Sequence, residues 1–268
     1  MKHQVSANKS LGQHFLRDQE VIFSITENFK DQADAIIEVG PGPAVLTPAL
    51  ASLNLPFHVI EKDDRFPELL AKYLPKDHIH LQDALEINYD EFIKATFPQA
   101  KSLWLVSNLP YNVGTPLSIL FLRCPAIKYM SLMYQKEVGE KIYSFAQKQK
   151  NAANSLGTLV LTYFDVKLLI KVPPMAFEPP PKVDSVVLSF VRLENPAIAY
   201  EQLDSFEKFL RTLFAQNRKQ MGNFLRSSFS PEKLQAAFSA IDVPLTARAE
   251  TLTLEQVQEL YKLLSVKE

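Results

Sequence analysis

The chain has 268 residues, of which 47% are hydrophobic and 22% charged, and its formal net charge is −1. This is long enough for one large domain plus a small one with an ample core, and no apolar run approaches the roughly 20 residues of a membrane span. The first ten residues lack the apolar core of a signal peptide. The single cysteine, Cys124, excludes an intrachain disulfide and is typical of a reducing compartment. We therefore expect a cytoplasmic protein.

Charge is distributed unevenly along the chain. Residues 27–100 contain 6 Lys and Arg against 13 Asp and Glu, a net of −7. Residues 101–192 contain 11 against 5, a net of +6. Such asymmetry can mark a face that meets a polyanion, although clustered surface charge in contact with solvent gives the same counts.

The first two thirds of the chain alternates apolar runs with helical patterns. The runs predict five strands, at 35–40, 56–63 and 78–83, within 102–111, and within 127–137 where the strand continues into a helix. Helical patterns occur at 45–53 and 116–123. This alternation predicts an α/β fold with a mostly parallel sheet and helices on both faces.

Two further strand-like runs, at 166–172 and 183–193, are separated by only ten residues. This gap is too short for a helical crossover, so we expect an antiparallel hairpin at the sheet edge. From about residue 200 onward the pattern is helical without strands. We therefore predict one domain over residues 1–195 and a small C-terminal all-helical domain over 196–268.

A glycine loop, EVGPGPAVLT, follows the first predicted strand and includes Gly40 and Gly42. Glycines at such a turn let a cofactor approach the backbone. A dinucleotide fingerprint, G-x-G-x-x-G, would require glycine where the chain has Val45, which disfavours a nicotinamide cofactor. Two glycines after a strand are a weak signal alone.

Two acidic residues strengthen this hypothesis. Glu61 ends the second predicted strand, 21 residues beyond Gly40, where a carboxylate can bind both ribose hydroxyls of an adenosine cofactor. Asp83 ends the third predicted strand and is placed to accept from an adenine amino group. Acids at strand ends also simply favour solvent. On consecutive strands, however, the pair describes an adenosine pocket.

The stretch Glu38-Val39-Gly40-Pro41-Gly42 resembles motif I of the S-adenosylmethionine-dependent methyltransferases, usually E-x-G-x-G-x-G, with Ala44 at the third glycine. Asn108-Leu109-Pro110-Tyr111 resembles motif IV of the adenine and cytosine amino-methyltransferases in its N-L-P-Y form. The resemblance implies a Rossmann-like class I methyltransferase sheet. It also implies S-adenosyl-L-methionine as the methyl donor and S-adenosyl-L-homocysteine as the product.

The chemistry of amine methylation explains the residue types of the second motif. An adenine exocyclic amine is a poor nucleophile, and acceptors that hold both N–H bonds draw its nitrogen toward tetrahedral geometry. The Asn108 side-chain oxygen and the Leu109 carbonyl can provide these acceptors. Pro110 stiffens the turn, and Tyr111 offers a face on which an extruded base can stack. The alternative is a strand-ending turn with a packed tyrosine.

Three more stretches, KSLGQHFLRD (9–18), MYQKEVGEKI (133–142) and FEPPPKVDSVV (177–187), resemble motifs of the KsgA-type small-subunit rRNA adenine dimethyltransferases. RAETLT (248–253) extends the resemblance into the helical region.

The roles that this resemblance implies fall on three residues. His14, which stands where Asn is common, and Leu16 match the segment that folds over the methionine end of the cofactor. Phe177 matches a ring proposed to sandwich the adenine opposite Tyr111, although a core phenylalanine is the plain alternative.

Basic residues supply candidate RNA contacts. Lys182 and the lysines between 136 and 150 could touch phosphates, although each alone could equally be ordinary surface. The stretch Gln216-Asn217-Arg218-Lys219 matches one that the family keeps basic. An amphipathic helix with a charged face explains that stretch equally well.

The resemblance implies dimethylation of the N6 amino groups of two adjacent adenines near the 3′ end of 16S rRNA, and so a role in ribosome biogenesis. The expected partner is small-subunit rRNA, the 30S subunit or its precursor, and the expected state is a monomer without metal. The five histidines include a His78-x-His80 pair but no further ligands at suitable spacing.

Three alternatives remain open at this stage. One is the large-subunit rRNA dimethyltransferase that confers macrolide resistance, whose target-loop sequence differs. Another is a DNA adenine methyltransferase, which usually carries D-P-P-Y. The third is a binding factor in ribosome assembly or mitochondrial transcription. The intact Asn108 and Tyr111, together with Glu61 and Asp83, argue against it.

Overall fold

The computed structural model describes residues 13–110, 112–216 and 219–265. Its strands are β1 (Phe15–Leu16), β2 (Ala35–Val39), β3 (Phe57–Glu61), β4 (Ile79–Leu81), β5 (Leu103–Asn108), β6 (Ile127–Gln135), β7 (Phe164–Val172), β8 (Phe177–Glu178) and β9 (Ser185–Arg192). Its helices are α1 (Gln19–Glu27), α2 (Thr47–Ala51), α3 (Pro67–Leu70), α4 (Tyr89–Thr96), α5 (Gly114–Arg123), α6 (Lys136–Ala146), α7 (Ser155–Tyr163), α8 (Leu203–Phe214), α9 (Met221–Leu225), α10 (Pro231–Ala240) and α11 (Leu254–Ser265).

Seven strands form the central sheet in the order β4-β3-β2-β5-β6-β9-β7. The pairs β3–β4, β2–β3, β2–β5 and β5–β6 are parallel, and β9 runs antiparallel to β6. The predicted α/β fold with a mostly parallel sheet is confirmed, and the two strands predicted as an antiparallel edge hairpin, β7 and β9, are neighbours at one edge.

The centre of the sheet is buried, which is why its strands appear in the sequence as continuous apolar runs. All five residues of β2 are buried, and in β5 only the last residue, Asn108, is partly exposed. Trp104 of β5 has no exposed surface and packs edge-on against Phe29, with 5.9 Å between ring centroids. These buried strands are rigid, and they fix the positions of the residues at their carboxyl ends.

The predicted elements did not include five helices, namely α1, α3, α4, α7 and α9. Helix α7 (SLGTLVLTY) shows why, because six of its nine residues are buried and a helix apolar on all sides has no 3.6-residue pattern. The two-stranded sheet in which β1 pairs with β8, with Leu16 opposite Phe177, was also not predicted. Two-residue strands carry no periodicity to read.

The structure divides into two compact units whose limits differ from the predicted boundary at residue 195. One unit contains residues 1–139 and 167–192, and the other contains 140–166 and 193–268. Residues 140–166 join the C-terminal helices because α7 packs against α8 and α11. The division into domains of 1–195 and 196–268 stays a prediction.

Three imidazoles stack on one edge of the sheet. His58 of β3 lies 4.1 Å from His78 and 5.2 Å from His80, between ring centroids, and its Nδ1 is 2.9 Å from His80 Nε2. Burial, and then the neighbouring imidazoles, lower the pKa of His58 to about 4. The pKa of His80 is lowered for the same reasons. The folded protein therefore favours the neutral forms of His58 and His80.

The histidine stack predicts acid sensitivity. Because the folded state binds fewer protons here than the unfolded state, stability is lost as pH falls from about 6.5 toward about 4. In His58→Asn, whose amide nitrogen can replace Nδ1, we expect the fall between pH 7 and pH 4.5 to be smaller than in the wild type. Urea unfolding at several pH values measures this, and parallel pH profiles for the two proteins would contradict it.

Within the described residues, no helix is both long and apolar enough to cross a membrane.

Candidate active site

A cavity of about 170 Å³ lies where β2, β3, β4 and β5 end. The carboxyl ends of parallel strands are where α/β sheets bind ligands. Its wall includes most of the predicted site residues, namely His14, Leu16, Gly40, Gly42, Glu61, Asp83, Asn108, Leu109 and Pro110. The structure thus brings into one cavity residues that span nearly a hundred positions of the sequence.

The glycine loop adopts the left-handed backbone conformation at three alternate positions. The φ angles of Gly40, Gly42 and Ala44 are 68°, 55° and 59°. Glycine takes such angles freely, whereas an alanine pays roughly 1 kcal/mol or more. Ala44, which stands at the third motif glycine, thus holds this conformation with local strain.

Glu61 fixes this loop from the end of β3. Its Oε2 accepts a hydrogen bond from the Gly42 N–H and its Oε1 accepts one from the Asp63 N–H, each at 2.8 Å. The side chain is buried, with 5% exposed. Burial raises the pKa of Glu61, and the two backbone donors partly oppose this. Each oxygen keeps a lone pair, which leaves capacity for ligand hydroxyls.

Asp83 lies two residues beyond β4 and forms a second acidic corner of the cavity. Its Oδ2 is 2.6 Å from Lys62 Nζ, and its Oδ1 accepts from the Leu85 N–H at 3.0 Å. The hydrogen bond with Lys62 is the main cause that holds the pKa of Asp83 below its usual range. Asp83 is therefore ionised and oriented at neutral pH.

The N-terminal segment from Gln13 to Arg17 is fastened on two sides. Gln13 donates to Asp63 Oδ2 at 2.8 Å and accepts from Arg65 at 3.1 Å. Hydrogen bonds from Arg65 are the main cause that lowers the pKa of Asp63 to about 2. On the other side, the Arg17 N–H donates to the Ala176 carbonyl at 2.7 Å. The sequence did not single out Gln13, because its contacts join residues about 50 positions apart.

His14 connects this segment to the loop before β9 and to the end of β5. Its ring Nδ1 is 2.8 Å from the Pro179 carbonyl, so Nδ1 carries the hydrogen and donates it. Its own carbonyl accepts from Asn108 Nδ2 at 3.3 Å. The ring contact therefore fixes the position of the His14 backbone, whose carbonyl oxygen orients the Asn108 amide.

The orientation of Asn108 follows from that partner. A carbonyl can only accept a hydrogen bond, so the amide nitrogen must be the group that faces His14. The other amide atom, Oδ1, is then left as the acceptor at the cavity wall. The turn after it closes with a hydrogen bond from the Val113 N–H to the Pro110 carbonyl at 3.1 Å.

Tyr111 and Phe177 are the two rings predicted to stack on the adenine, and the structure describes only Phe177. Tyr111 lies outside the described residues, as do residues 9–12 of the N-terminal motif and Asn217 and Arg218. Phe177 is 4% exposed and packs in the hydrophobic core with Phe15 and Leu16. Among the described residues it is not part of the cavity wall. A contact between Phe177 and a ligand in the cavity would require its ring to leave the core.

Two of the family-like motifs meet each other across β6 and β9. The Lys136 N–H donates to the Asp184 carbonyl at 2.9 Å, and the Lys136 side chain lies 3.5 Å from the Asp184 carboxylate. This surface pair joins Q-K-E-V to K-V-D-S. Exposed pairs contribute little stability.

No group of three or more His, Cys, Asp or Glu side chains in the described parts of the chain could hold a metal ion.

Taken together, the sheet order, the glycine loop with Glu61 and Asp83, and the oriented Asn108 are typical of a class I methyltransferase. Comparison with known proteins makes the assignment specific. The family model described as ribosomal RNA adenine dimethylase matches residues 4–265. The chain belongs to this family of rRNA-modifying methyltransferases.

Curated relatives of similar length carry the name ribosomal RNA small subunit methyltransferase A. One from Clostridium botulinum (strain Okra) is 36% identical over 97% of this chain and 94% of its own length. One from Mycoplasma pneumoniae is 34% identical over 95% of this chain and 93% of its own.

Two solved structures share the fold. The 23S rRNA methyltransferase ErmE is 22% identical, with a TM-score of 0.71 over 94% of this chain and 100% of its own. A dimethyladenosine transferase from Plasmodium falciparum is 21% identical, with a TM-score of 0.74 over 92% of this chain and 96% of its own.

Proposed function

We propose that this methyltransferase uses S-adenosyl-L-methionine to dimethylate the N6 amino groups of two adjacent adenines near the 3′ end of small-subunit rRNA. The observation that carries the proposal is the Asn108 amide, whose nitrogen is engaged by the His14 carbonyl at 3.3 Å. Its oxygen is left as an acceptor, and Leu109 is the next residue of the same cavity wall. The relatives named small subunit methyltransferase A favour the small-subunit substrate.

Three features of the cavity support an adenosine cofactor. Glu61 presents two carboxylate oxygens with spare lone pairs, and Asp83 presents a carboxylate near the end of the neighbouring strand. The glycine loop lets a ligand approach its backbone because Gly40 carries no side chain and has open space at its Cβ position. When bound, S-adenosylmethionine supplies an electrophilic sulfonium methyl group.

The chain's own residues then act on the adenine amine. Asn108 Oδ1 and the Leu109 carbonyl accept hydrogen bonds from its N–H groups, two before the first transfer and one before the second, and direct the nitrogen lone pair toward the methyl carbon. Holding the acceptors on a rigid strand end lowers the entropy cost of alignment. As each new C–N bond forms, the methyl–sulfur bond breaks, the uncharged thioether is the leaving group, and the amine releases one proton to water. No side chain is needed as a base before transfer.

The reaction is tested with radiolabelled S-adenosylmethionine and under-methylated small subunits. We expect label to appear as N6,N6-dimethyladenosine in small-subunit rRNA. Label on large-subunit rRNA would instead favour the resistance type of enzyme. Cofactor and particle binding without any transfer would favour an assembly factor.

A groove in the helical unit is a candidate RNA contact. It has a volume of about 690 Å³, and its wall includes Lys208, Arg211, Lys219 and Phe224. Arg211 pairs with the buried Glu207, whereas Lys208 and Lys219 are exposed. Two lysines beside an aromatic ring suit phosphates and an unstacked base.

Reversing the charge of the groove should weaken RNA binding. In Lys208→Glu/Lys219→Glu we expect the Kd for the subunit to rise by at least about tenfold near 0.1 M salt, with a log–log salt slope reduced by about 1 to 2. Cofactor affinity should not change. The matched control is Lys233→Glu/Lys262→Glu, which alters two lysines outside the groove wall. Equal losses in both double variants would rule out a specific contact.

We infer that the protein acts as a monomer in the cytoplasm, where rRNA is assembled into subunits. Size-exclusion chromatography with light scattering tests the first statement.

A further inference from the structure

Glu38 is a buried carboxyl group in the cavity wall. Its side chain is 2% exposed, and it lies on β2 between Val59 of β3 and Val106 of β5. Both cross-strand neighbours are apolar. A carboxylate in such surroundings is unstable unless a partner compensates its charge.

The described partners of Glu38 supply no positive charge. Its Oε2 accepts a hydrogen bond from the neutral Thr47 hydroxyl at 2.8 Å. The charged group that acts on it is a second carboxyl group, Glu61.

The cations and the histidine near the cavity contact groups other than Glu38. Lys62 pairs with Asp83, Arg65 pairs with Asp63, and the His14 ring contacts the Pro179 carbonyl.

Burial raises the pKa of Glu38 to about 8, the Glu61 charge adds to the rise, and the Thr47 hydrogen bond opposes it. At neutral pH the group therefore holds a proton. A positive ligand in this water-poor cavity would reverse the balance, because Coulomb attraction is far stronger there than in bulk water.

We propose that Glu38 is a charge-selecting residue of the cofactor site. It releases its proton to solvent when a cationic ligand enters, and the carboxylate then favours that ligand over an uncharged adenosine thioether. The inference rests on the proposed function, since S-adenosylmethionine carries a sulfonium and an ammonium group. It adds to the proposed function a physical reason why the cavity binds a cationic ligand more tightly than an uncharged one.

The test is calorimetry at pH 6.5 in two buffers that differ in ionisation enthalpy, with S-adenosylmethionine and 5′-methylthioadenosine as ligands. At this pH the ligand's own α-amino group is already protonated, with a pKa of about 7.7–8.0. We expect nearly one proton to be released per S-adenosylmethionine bound and none per 5′-methylthioadenosine. The affinity for S-adenosylmethionine should rise by nearly tenfold per pH unit between about pH 5.5 and pH 6.5, where both Glu38 of the free protein and the ligand's amino group hold their protons.

The variant Glu38→Gln keeps an acceptor for Thr47 and cannot ionise. We expect it to melt near the wild-type temperature, to release no proton and to lose the pH dependence of binding. Equal release with both ligands, or release that persists in Glu38→Gln and so comes from another group such as Glu61, would overturn the inference alone. Failure of the wild type to bind S-adenosylmethionine would overturn the proposed cofactor and this inference together.

Discussion

Replacing Asn108 by alanine is expected to lower kcat for methyl transfer by about 10²- to 10³-fold at saturating cofactor, the usual effect of removing one preorganised hydrogen-bonding group at the reacting atoms. The variant loses the acceptor that draws the adenine nitrogen out of conjugation, while Glu61, Asp83 and the glycine loop stay in place. The loss should therefore appear mainly in kcat, with a smaller change in cofactor Kd. Single-turnover transfer with labelled cofactor and calorimetric binding measure the two quantities.

Two controls make this prediction specific. Gln99→Ala removes an exposed amide outside the cavity wall, and it should retain wild-type kcat. Asn108→Asp keeps an acceptor but removes the donor to the His14 carbonyl, whose distance from Nδ2 is 3.3 Å. It should therefore fall between wild type and Asn108→Ala. A fully active Asn108→Ala would contradict the proposed role of the amide.

The second large effect is expected at Glu61. In Glu61→Gln, one carboxylate oxygen becomes an amide NH₂ that faces a backbone N–H, either that of Gly42 or that of Asp63, both now 2.8 Å from an oxygen. Loss of a charged hydrogen bond costs about 1.5–3 kcal/mol, which corresponds to a rise of about 10- to 150-fold in cofactor Kd. The glycine loop also loses its anchor.

Calorimetry with S-adenosylmethionine measures this change. Glu68→Gln is the matched control, because Glu68 is an exposed glutamate in the first turn of α3. It should bind the cofactor as the wild type does. If Glu61→Gln is folded and binds with unchanged Kd, Glu61 serves the loop alone and does not contact the ligand.

The sequence by itself determined the sheet and most of the cavity residues. Buried parallel strands appear as apolar runs, so β2, β3, β5 and β6 could be read directly, and the strand ends then placed Glu61, Asp83 and Asn108 at one edge. The N-L-P-Y motif is local in sequence, and its chemistry follows from its residue types. This is why the family resemblance and the comparison with known proteins agree.

Only the tertiary structure decided how those residues are held. The contacts of Gln13 with Asp63 and of His14 with Pro179 join residues 50 and 165 positions apart, and no periodicity records such pairs. The burial of Phe177 in the hydrophobic core likewise depends on contacts with residues far away in the sequence. Glu38 shows the reason most clearly. Its charge state depends on burial and on Glu61, and both are set by the packing of distant strands, which the order of residues along the chain does not reveal.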